Sequence, residues 1–556
     1  MNTPYTVSDL VAEFLDLCQV STVFGIVSVH NIPMLDAISR RNRVRFVMTR
    51  GELGAGHMAD GYGRATGKLG VLFTSTGPGA ANAVTGLLEA RFAGTPLLHI
   101  TGQTATRFVD RGAGTVHDVA DQLGMLRSVG KSAYRIRTPE EALGVLTRAV
   151  ADALEAPTGP VSVEIPIDVQ RAPLQRPETL DTFTPPLSPP RPPAQAELDA
   201  VVARILRAKR PMLWLGRGAA QAGPAARRLL DLGFGMVTSW AGRGVVPEDH
   251  PMCLGSLNGN GLPMVESFYE TVDLMIVAGS RLRGHETGDG ALALPRTRIQ
   301  IDVDPLANGR TYAADTFVCA DAALTLTAIA DRIEGKLALD PGFGAEFRAL
   351  KQETRAAFKA TLGPYGDFAQ TLRDVMPKDA IWARDITINN STWGNKLLSL
   401  FETRANIYPI GAGIGQGLSL GIGAALCPDK RKVVIMTGDG GFFLNMTELW
   451  TAVQEDLDVT ILVMNDRGYG VIRHIQDAAA GGRRRFDNLL GPDLEKVAAL
   501  AGIPFWRVSS KEEFGPAAAA AIATKGPTLV EVDMTAIGDH PPYYPYGPKA
   551  QPIARA

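Results

Sequence analysis

The chain has 556 residues, too many for one hydrophobic core, and a prior of roughly 150 residues per domain implies three or four domains. An apolar content of 45% with 21% charged residues is that of an ordinary globular protein, and a formal charge of −2 leaves no basic footprint for nucleic acid and no polybasic patch for a membrane. No apolar run is long enough to span a bilayer, and four scattered cysteines without CxxC spacing (Cys18, Cys253, Cys319, Cys427) are expected as thiols of a cytoplasmic protein.

The N-terminus, MNTPYTVSDLVAEFLDL, lacks a secretory signal's charged region and apolar core; it predicts a capped amphipathic helix from near Ser8. Residues 1–182 then alternate short apolar runs with helical patterns, the mark of an α/β domain on a parallel sheet. A first strand at 23–27 exits into a loop carrying His30, and a second at 45–48 exits into Glu52. The run after Glu52, LGAGHMADGYGRATG, is so rich in Gly and Ala that another backbone is expected to pack closely against it. A single carboxylate such as Glu52 is by itself most often a solvated or helix-capping charge. A strand at 69–75 enters a TGPG turn with Gly77 and Pro78, followed by Asn82. His117-Asp118 reads equally as a surface pair or as a pocket proton shuttle with an orienting carboxylate. Residues 159–166 predict the domain's last strand.

The Pro-rich stretch 182–194, TFTPPLSPPRPPA, can hold neither a helix nor a central strand and reads as a linker. A central α/β domain is expected over 195–335, with strands at 212–215 and 274–278; its Gly216 turn is a partial dinucleotide fingerprint that serves equally as a structural turn. Residues 336–366 predict a loosely packed charged helix and second linker, and 366–556 the final α/β domain.

That domain carries the most informative stretch. A strand at 433–437 ends in Gly438-Asp439-Gly440-Gly441, and a helix is expected behind it, with Asn445 as N-cap and Glu448 completing a capping box. A second strand at 458–464 ends in Asn465, so Asp439 and Asn465 are expected to meet outside the carboxyl edge of a parallel sheet. One carboxylate and one amide oxygen suit Mg²⁺, and the glycines suit phosphate oxygens. Gly-Asp-Gly alone is a common strand-to-helix turn. LFTSTGPGAANAVTGLLEA echoes VIMTGDGGFFLNMTELWTA, which suggests two related domains of which only the later holds a metal.

Glu52 with the Gly/Ala run, and Asp439 with Asn465, together resemble the thiamine diphosphate enzymes of the acetolactate synthase and benzoylformate decarboxylase type, in the right order over nearly the whole chain. The resemblance implies three doubly wound parallel-sheet α/β domains: pyrimidine-binding (1–182), central (195–335) and diphosphate-binding (366–556). It implies thiamine diphosphate and Mg²⁺ as cofactors, with FAD in the central domain in some relatives and none in others. Glu52 would hydrogen-bond the aminopyrimidine, with Gly77, Pro78 and Asn82 nearby. Asn389 and Asn390, Gly438, Gly440, Gly441, Tyr469, Gly470 and Val471 would meet the diphosphate side, and Ile414 would wedge under the cofactor. Asp439, Asn465 and the Arg467 carbonyl would be the metal ligands.

The implied reaction is decarboxylation of a 2-oxo acid to an enamine that is protonated or forms a new C–C bond, with His30, His117 and His285 as candidates for proton transfer. The implied assembly is a homodimer or homotetramer with shared sites. The chain departs from its relatives at Gly51, where many have His, at Val27-Ser28 for Pro-Gly, at His117-Asp118 for Phe-Gln, and at His285-Glu286, where synthases place an Arg. Those departures, with the Gly216 turn, keep two other classes open: a nicotinamide or flavin oxidoreductase, and a cofactor-binding protein without turnover.

Overall fold

The computed structural model describes residues 4–543. Short apolar runs rich in β-branched residues form three sheets in which every strand pair is parallel. The first contains β1 (Thr22–Gly25), β2 (Arg45–Met48), β3 (Gly70–Thr74), β4 (Leu97–Gln103), β5 (Ser132–Arg135) and β6 (Pro160–Pro166), in the order β2-β1-β3-β4-β6-β5. The second contains β7 (Pro211–Leu215), β8 (Gly235–Thr238), β9 (Leu274–Ala278), β10 (Arg298–Asp302) and β11 (Thr316–Cys319), in the order β11-β10-β9-β7-β8. The third contains β12 (Ile381–Arg384), β13 (Asn406–Ile407), β14 (Val433–Gly438), β15 (Val459–Asn465), β16 (Phe505–Val508) and β17 (Thr528–Asp533), in the order β13-β12-β14-β15-β17-β16.

Numbered within each sheet, the first and third share one order, 2-1-3-4-6-5, and the two echoing TGxG segments both follow the third strand. In such sheets a crevice opens at the carboxyl ends where the strand order reverses. That point lies between β1 and β3 in the first sheet and between β12 and β14 in the third.

The Gly/Ala run forms helix Glu52–Thr66, and the backbone packed against it is helix Gly417–Ala425 of the third sheet's layer. A Cβ added at Gly61 would lie 2.0 Å from the Leu420 carbonyl oxygen, and one at Gly423 would lie 2.0 Å from that of Met58. Neither oxygen can move without its helix. Gly61→Ala is therefore expected to destabilise by about 1–3 kcal/mol through overpacking, read as a lower thermal midpoint; an unchanged midpoint would show that the helices tolerate wider separation. Beside this crossing a buried triad ties the two domains: Arg64 pairs with Asp60 and Glu89 and donates to the Tyr408 carbonyl at 2.6 Å. Glu89 in turn accepts the Ile410 and Gly411 N–H groups at 2.6 and 2.9 Å, fixing a segment that faces the site described below.

Two local expectations change. Helix Phe343–Ala360 is not loosely packed: Phe343, Phe347, Leu350 and Phe358 recur on one face and are buried, and Phe343 stacks on Phe268 at 5.9 Å. Asn445 precedes the 3-10 turn Met446–Glu448 as its N-cap residue, but its side chain makes no cap hydrogen bond and donates to the Gly415 carbonyl instead. The helix begins at Asp439, runs to Asn445, and continues through the turn Met446–Glu448 into helix Leu449–Gln454. None of the described helices is long and apolar enough to cross a membrane, and all four cysteines are free thiols.

Candidate functional site

The third sheet's crevice is a cleft of about 460 Å³. β12 exits into Asn389, β14 into Gly438–Gly441, and β15 into Asp466, Gly468, Tyr469, Gly470 and Val471, all of which line it. Ile414 faces them, 42% exposed. Its loop is braced on both sides. The Asp385 carboxylate accepts Gly415 N–H and Gly417 N–H, each at 3.0 Å, and Asn445 donates to the Gly415 carbonyl at 2.5 Å. Burial pushes Asp385 up to about 6. Gly440 lets the Tyr469 ring approach, since a Cβ there would lie 2.7 Å from it.

Asp439 stands at the start of its helix with Oδ1 buried and without a hydrogen-bond partner. The side chain brought beside it is Asp466, not Asn465. Asn465 closes β15 with its amide donated to Glu531 at 2.7 Å and its oxygen accepting Arg467 N–H at 3.1 Å. Successive residues along a strand point to opposite faces, so moving one position exchanges Asn465 for Asp466. The Arg467 carbonyl is likewise engaged, by Arg473 Nη2 at 3.0 Å. The Asp439 and Asp466 carboxyls are both pushed up, first by burial, and Asp466 also by the charge of Asp439. A buried carboxyl with an orphaned oxygen beside a half-buried one whose charge it disfavours forms a donor set that a hard divalent cation would satisfy.

Asn389 reaches the cleft wall, but its side chain is used locally, accepting from Trp393 at 2.7 Å. Asn390 is turned away and accepts Arg384 Nε at 2.8 Å, because neighbours on a helical turn face different directions. From the central domain come Trp240 and His285, whose rings meet at 4.8 Å. Burial, with the charge of Arg283, pulls His285 down to about 3, so it is a neutral imidazole near pH 7.

The remaining candidates gather at the first sheet's crevice. Glu52 opens its helix and accepts Asn82 Nδ2 at 3.2 Å. The TGPG turn bridges its neighbours: a Cβ at Gly79 would lie 2.8 Å from Glu52 Oε1, and one at Gly77 would lie 2.4 Å from the His117 carbonyl oxygen. Pro78 opens the following helix, and Gly77 N–H is already donated to Gln122 at 2.6 Å. His117 Nδ1 lies 3.4 Å from Ser75 Oγ, while Asp118 accepts Gly114 N–H; the pair is therefore His117 with Ser75. The His30 and His117 rings are 5.2 Å apart, and burial and His117 together lower His30. Glu448 of the third domain holds the start of the Glu52 helix, accepting Arg50 and Gly51 N–H at 3.1 and 3.0 Å. The side chain expected to cap its own helix thus satisfies the N-cap N–H of another and the N–H just before it. A Cβ at Gly54 would lie 2.2 Å from its Oε1.

The structure therefore divides the candidates. His285, Asn389, Ile414, Asp439 and Asp466 share the third-domain cleft, while Glu52, His30 and His117 do not line the cleft of their own chain. Sequence reasoning missed Asp466, Gly468, Trp240 and Asp385; the only signal was Asp466 itself, a second hard oxygen donor directly after Asn465.

Residues 5–125, 198–329 and 389–532 match three family descriptions: "Thiamine pyrophosphate enzyme, N-terminal TPP binding domain", "central domain" and "C-terminal TPP binding domain". The chain is 31% identical over 495 residues to the probable 2-ketoarginine decarboxylase AruI of Pseudomonas aeruginosa, covering 87% of this chain and 84% of that protein. The chain belongs to the thiamine pyrophosphate enzymes. Other relatives in the same family are acetolactate synthase 2, chloroplastic, of Brassica napus, 28% identical with 96% of this chain and 86% of that protein covered, and acetolactate synthase, chloroplastic, of Arabidopsis thaliana, 28% identical with 94% and 81% covered. In this thiamine pyrophosphate enzyme the Glu52 corner lies in the matched N-terminal domain and the Asp439 cleft in the matched C-terminal domain. The Gly216 turn of the central domain spends its amides internally, Gly216 N–H on Ala278 and Gly218 N–H on Gly279 at 2.9 and 3.0 Å. It offers no cradle of free amides for a dinucleotide.

Proposed function

We propose that the enzyme decarboxylates 2-oxo acids, R–CO–COO⁻ + H⁺ giving R–CHO + CO₂, or joins the residual acyl unit to a second carbonyl, using thiamine diphosphate and Mg²⁺. The observation that carries this reading is the orphaned Asp439 oxygen beside Asp466 at a glycine-rich turn, opposite the braced Ile414. Bound thiamine diphosphate supplies the carbon nucleophile and the electron sink for loss of carbon dioxide. Asp439 and Asp466 would hold the cation. Among the described residues no cluster of three or more His, Cys, Asp or Glu side chains could hold a metal, so the remaining ligands would be backbone, water and diphosphate oxygens.

Gly438, Gly440 and Gly441 line the cleft at the helix start, where backbone N–H groups favour anions and would meet the diphosphate. Tyr469, Gly470, Val471 and Asn389 close its sides, and Ile414 supports the ring system. Glu52 of one copy completes the cleft of a second copy and holds a proton at the aminopyrimidine. The cleft and the Glu52 corner of one chain are separate, and Val29, Ile414, Leu444 and Ile472 are exposed apolar side chains that a second copy would cover. Neutral His285 faces the substrate and can donate or accept a hydrogen bond there; His30 and His117 approach from the Glu52 side.

Incubating the holoenzyme with a panel of 2-oxo acids, with and without aldehyde acceptors, and identifying products by mass tests the reading. Carbon dioxide with an aldehyde identifies a simple decarboxylase, and a hydroxyketone a carboligase. No carbon dioxide from any acid would contradict it.

A further inference from the structure

Trp240 and His285 stand between the cofactor cleft and a neighbouring cavity. That second cavity, of about 300 Å³, is walled by Leu262, Phe358 and Tyr543 and contains Glu286 and Lys396. Lys396 follows the helical turn Asn390–Gly394, the same segment whose start places Asn389 in the cofactor cleft. Its side chain is buried to 9% exposure, and among the described residues no group accepts a hydrogen bond or forms an ion pair with its ammonium. The face of the Phe358 ring lies 5.1 Å from the ammonium. Glu286 is engaged elsewhere, accepting Trp240 N–H. A largely buried cation without an ion-pair partner is costly, and an anion entering the cavity would offset that cost.

We propose that this cavity receives the far end of the 2-oxo acid, and that this end is a carboxylate held by Lys396, so that the substrate class is a 2-oxo dicarboxylic acid. The inference rests on the function proposed above. The reacting carbonyl lies in the cofactor cleft, the carbon chain passes Trp240 and neutral His285, and the distal carboxylate replaces the missing partner of the ammonium. Burial lowers Lys396 to about 8 and raises Glu286 to about 7, while the opposite charge of each offsets part of the other's shift; the Glu286 carboxylate nevertheless makes no ion pair with the ammonium. A guanidinium terminus, by contrast, meets a like charge at Lys396.

The test assays the holoenzyme with 2-oxoglutarate, 2-oxoadipate, 2-oxohexanoate and 5-guanidino-2-oxopentanoate. It also compares glutarate and adipate with hexanoate as unreactive ligands, followed by tryptophan fluorescence. One of the dicarboxylates is expected to exceed 2-oxohexanoate in kcat/KM by about 100-fold. Lys396→Met should bring that ratio close to one, and Lys396→Arg should retain most of it. The wild-type panel decides the matter alone if Lys396→Met does not fold. Turnover of 2-oxohexanoate or the guanidino acid equal to or above both dicarboxylates overturns the inference and leaves the proposed function standing. If no acid releases carbon dioxide, the proposed function fails, and binding decides: glutarate or adipate at least about tenfold tighter than hexanoate upholds an anion-binding cavity, and equal binding overturns it.

Discussion

Glu52→Gln is expected to lower carbon dioxide release from 2-oxo acids by about 10²–10⁴-fold, the range for loss of a positioned acid–base group, while thiamine diphosphate remains bound. The substitution preserves volume, and its amide can still pair with Asn82, which now meets the Glu52 carboxylate at 3.2 Å. It also leaves intact the contacts that position the helix, because Glu448 grips the backbone N–H groups of Arg50 and Gly51 rather than the Glu52 side chain. On the proposed function, what is lost is the ability to hold and release a proton at the aminopyrimidine. Single-turnover measurement separates this from a folding defect. Cofactor affinity near wild type with slow chemistry is the expected pattern, whereas unchanged turnover would remove Glu52 from the mechanism.

Asp439→Ala is expected to weaken Mg²⁺-dependent binding of thiamine diphosphate by at least about 100-fold, since even groups one step removed from a metal account for 10–100-fold in affinity. The same loss is expected for Asp466→Ala but not for Asn465→Ala, whose amide is spent on Glu531 and whose oxygen accepts a backbone N–H. Asp466→Asn should retain much of the affinity, because an amide oxygen is still a hard donor and the repulsion from Asp439 is relieved. Titrating cofactor against each variant in Mg²⁺, with chelator as control, reads all four. Asn465→Ala failing while Asp466→Ala binds normally would restore the ligand set expected from the sequence.

The three-domain parallel architecture was legible because buried parallel strands are near-continuous apolar runs bounded by Gly and Pro, and strands β2 and β9 match their expected bounds. The Gly/Ala run also announced its own contact, since only a second backbone explains so many missing side chains, and Met58, Gly61, Leu420 and Gly423 make it. What was not legible turned on single-residue parity and on contacts distant in sequence. Asn465 and Asp466 are both oxygen donors at one strand end, and only the face each presents separates them. Glu448 has the spacing of a capping box, yet its carboxylate reaches a helix nearly four hundred positions earlier, a choice made by domain packing. Lys396 carries no motif at all: its isolation is a property of the cavity around it.

The central claim, that Glu52 of one copy completes the Asp439 cleft of another, is tested most directly by mixing two inactive variants. Glu52→Gln and Asp439→Ala subunits, unfolded and refolded together with thiamine diphosphate and Mg²⁺, are expected to regain carbon dioxide release, because each mixed pair contains one site with both residues intact. Activity that stays at the level of the separate variants in verified mixed oligomers would mean that both residues serve a site within one chain, and would contradict the claim.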